Sequence, residues 1–465
     1  MRAQPSLPPV VDTNPPIVPL VAGGIPGISW PALPGAAGAC MLALQYQLEQ
    51  SEWWPPERLR EQQACQLELL LRHAGDTVPF YRERFSRYGF EADREFSFAD
   101  FERLPPLART EVQQAGRAVL SERMPPDHAP FTDGVTSGST GAPLRFVSSG
   151  LEQLFWHAFT LRNHLWHHDD FSARFASIRV GLERNDYPGW GLSTDAVFRT
   201  GPAAGLDARE DIDVQVDWLL EQQPAYLLSH ASNLRALAVR FKERSLRLDA
   251  LRQVKSFSEM MPADLREQVR AAWNVEVVDV YSANEAGYIA LQCPQCEHYH
   301  VQSEGALVEV VDDHGEPCPA GGVGRVLITT LHNFAMPLIR YEVGDCAEVG
   351  ENCPCGRGLP VLRRVMGRVR NMLRLPGGGS FWPGVPLNAL TGLAPVRQFR
   401  VIQRTLTEIE LQLVLDRELS AAEEEGLREA LRVRLRYPFD VRVVRVDRIE
   451  RGPGHKFEDF VCQVP

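Results

Sequence analysis

AYLLSHASNLRALAVRFKERSLRLDALRQVKSFSEMMPADLREQVRAAWNVEVVDVY, residues 225–281, alternates between two hydrophobic patterns. Three short segments, at 225–229, 253–259 and 275–281, are strand candidates, and the first and third of them are rich in apolar residues. Between them lie two segments with apolar residues at helical spacing, the first of which begins at the candidate cap Ser232. This order predicts a parallel sheet covered on both faces. Ligands bind beyond the carboxyl ends of such strands, so the residues after SFSE and VVDVY are site candidates.

Two further regions extend this pattern toward the C-terminus. Short strands with glycine turns at 306–348 predict an antiparallel subdomain. Apolar and polar residues alternate over 409–415 as in a half-buried strand, and Ser420 with Glu423 forms a capping box before a helix. We therefore predict an α/β protein. It has a large N-terminal domain with parallel sheet layers and an antiparallel subdomain, and a small C-terminal α+β domain at 371–465.

The N-terminal segment from Thr13 to Leu48 carries no charge, but prolines and glycines interrupt it throughout. No uninterrupted run reaches the roughly 20 apolar residues of a membrane-spanning helix, and no basic start precedes an apolar core as in a signal peptide. We predict an extended Pro/Gly-rich arm over 1–50, then an amphipathic helix that begins at Pro56 and stops at Gly75. The protein is expected to be cytoplasmic, with no membrane partner.

The amino-acid composition indicates what kind of protein this chain is. At about 150 residues per domain, a chain of 465 residues predicts two or three packed units. The hydrophobic fraction of 44% and the charged fraction of 23% are ordinary for a soluble enzyme. Lysine plus arginine number 49 against 60 acidic residues, a formal charge of −11, which argues against nucleic acid as a partner.

Four of the nine cysteines fall in two close pairs, Cys293 with Cys296 and Cys353 with Cys355. A Cys-x-x-Cys segment presents two thiolates at zinc-ligand spacing, and a second pair completes a tetrahedral set. We predict a structural zinc ion held by the four cysteines, since a four-sulfur site has no open position for catalysis. The alternatives are His298 or His300 in place of one sulfur, and four ordinary reduced thiols.

VTSGSTGAPLRF, residues 135–146, collects glycines and hydroxyls in one turn. Small residues let backbone N–H groups approach an anion, and hydroxyls add donors, so the turn suits a polyphosphate. It lacks the Gly-Lys-Ser/Thr of a Walker loop, and the alternation of Leu144, Phe146 and Ser148 predicts a hairpin. From this stretch alone, a polar surface turn is the alternative.

Four more motifs follow in order: DVYSANEAG from Asp279, PLIRYEVGDCAEV from Pro337, GRVRNML from Gly367 and RGPGHKFEDF from Arg451. With the loop, they resemble the adenylate-forming superfamily of acyl-CoA synthetases, luciferases and peptide-synthetase adenylation domains. HAGDTVPFYRERF and CPCGRGLPVLRRVMGR extend the resemblance to its phenylacetate-CoA ligase-like branch. The resemblance implies an adenylate-forming domain at 51–370 with a zinc-binding insertion, and a small mobile domain at 371–465.

The resemblance also implies a nucleotide site. The loop that would hold the ATP phosphates is Thr136, Ser137, Gly138, Ser139, Thr140 and Gly141. Ser258, in place of the usual glycine, and Glu259 would lie beside adenine, and Tyr281 would stack on the base. Ser282 stands where glycine is usual. Asn284 stands where threonine is usual and would face the α-phosphate.

Four charged residues carry the remaining roles that the resemblance implies. Glu285 would coordinate magnesium, Asp345 would accept hydrogen bonds from the ribose hydroxyls, and Arg368 would assist there. Lys456 resembles the mobile catalytic lysine of the small domain. One departure concerns Leu144, which occupies a place where many superfamily members have lysine.

The implied activity is that of an AMP-forming ligase, which joins a carboxylic acid to ATP as an acyl-adenylate and passes the acyl group to a thiol. Coenzyme A is the default acceptor; a carrier-protein thiol and an amine are alternatives. A non-catalytic nucleotide-binding homologue, which Ser258, Ser282 and Asn284 would favour, is a further alternative. A zinc-ribbon nucleic-acid binder is disfavoured by charge. The sequence leaves open whether the chain forms a homodimer.

The acid is predicted to be aryl or hydrophobic. The walls of its pocket would come from aromatic residues after the loop and from the segment before the predicted helix at Ser232: Phe155, Trp156, His157, Phe159 and 229–231. Aromatic residues at helical spacing are more often core, and this is the alternative for the first group.

Overall fold

The computed structural model of the chain describes residues 19–136, 143–368, 371–385, 387–449 and 457–464. A twelve-stranded sheet forms the centre of the large domain and a four-stranded sheet that of the small domain. No helix in these ranges combines the length and the apolarity needed to cross a bilayer.

The N-terminal part contains the helices α1 (Ala36–Ser51), α2 (Pro56–Thr77) and α3 (Pro79–Tyr88). α1 corrects the predicted extended arm from residue 36 to residue 50, while residues 1–18 of that arm lie outside the described residues. Its alanines and leucines favour helix, and its buried Met41 and Leu48 pack in one cluster with Phe159. The charge-free sequence therefore forms a helix that buries one face here.

The start of α2 agrees with the prediction, but its predicted stop at Gly75 is wrong. The helix continues to Thr77, because a glycine inside a helix costs only about 1 kcal/mol relative to alanine. The fully buried Leu67, Leu70 and Leu71 of this helix outweigh that cost. Pro79 then begins the next helix.

The parallel half of the large sheet alternates with helices, as predicted. Its strands are β3 (Phe175–Arg179), β5 (Ala203–Asp207), β6 (Tyr226–His230), β7 (Gln253–Phe257) and β8 (Glu276–Ala283), with the antiparallel edge strand β4 (Asn185–Tyr187). The helices of the region are α6 (Gly150–Trp166), α7 (Leu192–Asp195), α8 (Ile212–Gln222), α9 (Ala231–Glu243) and α10 (Leu265–Trp273). Leu234, Leu237 and Phe241 of α9 are fully buried against this sheet.

The antiparallel half continues the same sheet. Its strands are β9 (Gly287–Gln292), β10 (Tyr299–Val301), β11 (Ala306–Val311), β12 (Val323–Thr330), β13 (Tyr341–Val349) and β14 (Val361–Arg368). β8 joins the two halves, because it pairs in parallel with β7 and antiparallel with β9. The turn after β8 therefore lies where the direction of the sheet changes.

Three smaller elements complete the region around that turn: α4 (Phe98–Phe101), α5 (Arg109–Ala115) and the hairpin of β1 (Phe131–Val135) and β2 (Arg145–Ser149). Register pairs Val135 with Arg145, which confirms the predicted hairpin. Leu107, just before α5, bonds through its backbone to Arg340 and Glu342. This contact holds the start of α5 beside β13.

The small domain contains β15 (Leu373–Arg374), β16 (Ser380–Phe381), α11 (Asn388–Thr391), β17 (Val396–Gln403), β18 (Glu408–Leu415), α12 (Ala421–Leu435), β19 (Asp440–Arg445) and β20 (Phe460–Cys462). The predicted strand at 409–415 and the capping box are both confirmed, since the Glu423 N–H donates to Ser420 Oγ at 3.3 Å. Ile409, Leu411 and Leu413 are buried against α12 in a separate core.

Candidate active site

Glu285, the residue assigned to magnesium, lies in the turn between β8 and β9 and is 7% exposed. The Tyr341 hydroxyl donates to its Oε1 at 3.1 Å, and Arg109 Nη1 lies 3.3 Å from the same oxygen. Burial and the nearby carboxylate raise the pKa of Tyr341, so its phenol keeps the proton that it donates. The site thus holds a carboxylate in one fixed orientation.

Arg109 is a site residue that the sequence analysis missed. It is the first residue of α5, and its Nη2 donates to Thr136 Oγ1 while its Nη1 reaches Glu285. The three residues are far apart in the chain, so no local motif includes them. One sequence signal exists: an arginine in the first turn of a helix opposes the helix dipole, which favours acidic residues there.

Thr136 connects the hairpin to this group of residues. Its N–H donates to the Leu144 carbonyl at 2.9 Å, and its Oγ1 accepts from the Leu144 N–H at 3.0 Å. The rest of the predicted phosphate loop lies outside the described residues: Ser137, Gly138, Ser139, Thr140 and Gly141.

Asp345, the predicted ribose acceptor, lies on β13 directly opposite Arg368 of β14. Its Oδ1 is 3.2 Å from Arg368 Nε, and its Oδ2 accepts from the Tyr281 hydroxyl at 3.0 Å. Burial and the Asp345 carboxylate raise the pKa of Tyr281 well above its usual range, so Tyr281 donates as a neutral phenol. Gly344 has φ +88°, and a Cβ there would meet Arg368 Nη1 at 3.2 Å. The structure therefore brings three of the predicted residues into direct contact.

Ser258 and Glu259 follow β7 at its carboxyl end. Ser258 has φ +68°, a conformation that favours glycine, which gives a physical reason for glycine at the corresponding position of the superfamily. Glu259 Oε2 accepts from the Ser232 N–H at 2.9 Å, and its Oε1 accepts from the Phe457 N–H at 3.0 Å. Glu259 thus links the large domain to the segment that follows Lys456.

Three residues that the resemblance assigns to the site remain: Ser282, Asn284 and Lys456. Ser282 is half-buried near the end of β8, and Asn284 is exposed in the turn beside Glu285. Lys456 lies outside the described residues, but Phe457 and Asp459 are described.

The two domains meet through a buried ion pair. Arg235 of α9 donates from Nη1 and Nη2 to the two carboxylate oxygens of Asp459 in the small domain, at 2.9 and 2.6 Å. Asp264 Oδ1 lies 3.6 Å from Arg235, and its Oδ2 accepts from the Leu387 N–H at 3.1 Å. Arg235 therefore stands between carboxylates of both domains.

The residues predicted to wall an acid pocket separate into core and surface positions. Phe159 is 2% exposed and belongs to the core, as the alternative predicted. Phe155 stacks on His332 with ring centres 4.1 Å apart, and Trp156 lies 4.6 Å from Tyr288. His157 Nδ1 is 2.8 Å from Ser193 Oγ. These contacts give α6 an aromatic flank beside β9.

The four predicted zinc ligands come together at one end of the antiparallel half of the sheet. Cys293, Cys353 and Cys355 form one group with His300, and Cys353 also groups with Cys296 and His298. Cys353 Sγ is 3.7 Å from both Cys293 Sγ and Cys296 Sγ. A tetrahedron with zinc–sulfur bonds of about 2.3 Å has edges of roughly 3.8 Å, so these spacings fit zinc.

His300 is the fifth donor of this cluster, with its Nε2 3.3 Å from Cys355 Sγ. Its Nδ1 faces the Leu359 carbonyl at 3.4 Å, the kind of second contact that orients a metal-binding imidazole. With His298, the structure thus offers six donors for four positions: Cys293, His300, Cys353 and Cys355 form one group, and Cys296 and His298 adjoin it through Cys353.

No family profile matches the chain. A phenylacetate-coenzyme A ligase of Thermus thermophilus is 27% identical over 390 residues, which are 80% of this chain and 84% of that protein. The phenylacetate-coenzyme A ligase of Aromatoleum evansii is 25% identical, over 72% of this chain and 76% of that protein.

Among solved structures, 2-hydroxyisobutyryl-CoA ligase with a bound acyl-AMP in the postadenylation state covers 90% of this chain, and the match spans 91% of that protein. The TM-score is 0.69 at 20% identity. The same ligase with acyl-AMP and CoA in the thioesterification state gives a TM-score of 0.59. The structural likeness shows the fold, and the sequence relatives are phenylacetate-coenzyme A ligases: the chain is similar to the phenylacetate-CoA ligase-like branch of the adenylate-forming superfamily.

Proposed function

We propose that the chain is an ATP-dependent, AMP-forming ligase that activates a carboxylic acid and transfers the acyl group to coenzyme A. One observation carries the proposal. Glu285 and Asp345 are both buried, both hydrogen-bonded by protonated tyrosines, and both lie beside the turn where the sheet changes direction. Buried carboxylates held in this way are positioned to bind a cation and a sugar, the two polar ends of a magnesium nucleotide.

Adenylation joins two anions. A carboxylate oxygen of the acid attacks the α-phosphorus of ATP, the bond from that phosphorus to the bridging oxygen breaks, and pyrophosphate leaves. Catalysis therefore depends on positioning and on positive charge. Asp345 would accept from the ribose hydroxyls and so fix the nucleotide along β13, while Arg368 holds Asp345. Magnesium bound at Glu285 would neutralise phosphate charge.

Acyl transfer follows from the adenylate. The thiolate sulfur attacks the acyl carbonyl, the bond to the AMP oxygen breaks, and AMP leaves. The relatives are coenzyme A ligases, which supports coenzyme A over a carrier-protein thiol or an amine. The aromatic flank of α6 supports an aryl or hydrophobic acid, because flat apolar side chains favour such a ligand.

The test is pyrophosphate exchange into ATP over a panel of aryl, branched aliphatic and short hydrophilic acids, followed by acyl transfer to coenzyme A, pantetheine and glycine. Exchange with an aryl or hydrophobic acid and transfer to coenzyme A are expected. Absence of exchange with every acid would contradict the proposal, and transfer to the amine alone would contradict its second half.

Two variants test the nucleotide assignment. Asp345→Ala should weaken ATP binding, since the ribose loses its acceptor, and Glu285→Ala should chiefly slow adenylation by misplacing magnesium. The measurement is the exchange rate as a function of ATP and magnesium concentration. Parental rates in both variants would show that these positions do not bind the nucleotide.

We also propose that the cysteine cluster holds one structural zinc ion. The sulfur spacings around Cys353 support it, as does the position of the cluster between β9, β14 and the loop at 351–358. Gly358 N–H donates to the Glu52 carbonyl at 2.8 Å, so this loop also ties α1 to the sheet. Zinc would therefore join three separate parts of the large domain.

Purified protein should contain about one zinc per chain, and Cys293→Ser or Cys355→Ser should lower zinc content and melting temperature together, because binding is coupled to folding. Elemental analysis and thermal unfolding measure the two quantities. Cys296→Ser and His300→Gln form the matched comparison, since the variant that loses more zinc identifies the fourth ligand. Metal-free protein with the parental melting temperature would refute the site.

A further inference from the structure

Arg109 has no role in the reaction as described so far. Its guanidinium lies between three segments: Thr136 at the end of β1, Glu285 after β8, and Tyr341 at the start of β13. Its side chain is 18% exposed, so it borders the site without being sealed in the core. A cation held at this meeting point is accessible to a ligand.

The contacts of Arg109 with Glu285 and Tyr341 are long. Nη1 is 3.3 Å from Glu285 Oε1 and 3.5 Å from the Tyr341 oxygen, and the buried Nε has no hydrogen-bond partner among the residues that the structure describes. Charge-assisted hydrogen bonds between nitrogen and oxygen are usually about 2.7–2.9 Å. The guanidinium therefore keeps donor capacity that these partners do not use.

Position 144 of the hairpin, where many superfamily members have lysine, is an apolar leucine in this chain. Leu144 is 2% exposed, and both its N–H and its carbonyl bond to Thr136. The side chain is therefore packed in the core of the large domain. Arg109 approaches the same threonine from α5, on the side of Glu285.

We propose that Arg109 binds the β- and γ-phosphates of ATP and remains bound to them while they become the pyrophosphate leaving group. The inference rests on the proposed function. In the free protein Arg109 neutralises Glu285; when magnesium takes that carboxylate, the guanidinium turns to the phosphates, so both carboxylate and triphosphate keep a counter-charge. The planar fork of arginine suits two phosphate oxygens at once.

This role predicts selectivity between nucleotides. A residue that binds the outer phosphates strengthens binding of magnesium ATP and of magnesium pyrophosphate, but not of AMP. A residue that only holds Glu285 in place would spare AMP as well, but Arg109→Gln would then add no further loss of magnesium ATP binding in a Glu285→Gln background, whereas a direct phosphate contact would add one.

The experiment measures dissociation constants of the full-length chain for magnesium ATP, magnesium pyrophosphate and AMP by calorimetry. Arg109→Gln should weaken binding of the first two about 10- to 100-fold and leave AMP within about twofold, from the usual contribution of a charged hydrogen bond. Arg109→Lys should restore part of the loss. Arg117→Gln is the matched control, because Arg117 is exposed just beyond the same helix.

Equal weakening of all three ligands, or of none, would overturn the inference while leaving the proposed function intact. A parental chain that binds neither magnesium ATP nor AMP, and that exchanges no pyrophosphate, would instead refute the proposed function. Thermal unfolding of each variant separates loss of binding from loss of fold, and Arg109→Lys is the second variant if Arg109→Gln does not fold.

Discussion

Lys456→Ala should slow adenylate formation on the order of 100- to 1,000-fold, the usual effect of removing one hydrogen-bond donor that stabilises the charge of a transition state. The chain contains only three lysines: Lys242, Lys255 and Lys456. Lys255 is buried with its Nζ 2.8 Å from Asp169, and Lys242 is exposed on α9. With arginine used almost everywhere else, a lysine in this segment suits a compact charge delivered to a phosphate.

The neighbourhood of Lys456 supports this expectation. Phe457, the next residue, donates its N–H to Glu259 at the carboxyl end of β7, and Asp459 binds Arg235. The segment after Lys456 is therefore fastened to the edge of the sheet where β7 and β8 end. The charge of Lys456 would act on the anion that develops as the acid attacks, and ATP binding itself should stay near parental.

Single-turnover assays of the two half-reactions decide this prediction. Adenylation should fall, whereas transfer to coenzyme A from synthetic acyl-adenylate should be spared, because the small domain turns away for that step in the superfamily. Lys242→Ala is the matched control and should leave both rates unchanged. Equal losses in both half-reactions of Lys456→Ala, or none, would remove Lys456 from catalysis.

The sequence predicts the fold well where periodicity and packing agree. In residues 225–281, each segment predicted as a strand forms a strand, and each segment with helical spacing forms a helix. The reason is that both faces of that half of the sheet are covered. Periodicity does not show how sheets join. The antiparallel strands continue the parallel sheet through β8, and this connection depends on β9 returning beside β8.

Prediction of the active site from the sequence meets the same limit, because local patterns do not show which distant segments come together. Tyr281, Asp345 and Arg368 belong to recognisable motifs, and the structure brings them into contact. Arg109 belongs to none, because its role depends on α5 packing against β13. Glu259 was assigned to adenine from its motif, yet its carboxylate contacts Phe457, a partner about 200 positions away that only the docking of two domains supplies.

Arg235→Met should give the largest effect on the arrangement of the two domains. Removing one partner of a buried ion pair typically costs about 3–5 kcal/mol, because the remaining charge stays buried without compensation. Here two carboxylates, Asp264 and Asp459, would lose their shared guanidinium. Methionine keeps most of the apolar volume, so packing of α9 is largely retained.

The chain can relieve this cost without unfolding, because Asp459 belongs to the small domain and can leave with it. The penalty then reduces the fraction of molecules in the docked arrangement. At about 1.4 kcal/mol per factor of ten, 3–5 kcal/mol corresponds to a shift of roughly 100-fold or more in the docking equilibrium. Adenylation, which needs the segment after Lys456 at the edge of the sheet, should fall accordingly.

Asp459→Asn provides a graded comparison. It leaves Arg235 paired with Asp264, so the loss of adenylation should be smaller than in Arg235→Met. Small-angle scattering should show a more open Arg235→Met, whereas Lys456→Ala, which keeps the ion pair, should scatter like the parental protein. Transfer from synthetic acyl-adenylate should not slow in any of the three. If Arg235→Met instead slows both half-reactions equally and lowers the melting temperature of the whole chain, the ion pair stabilises the fold and does not control docking.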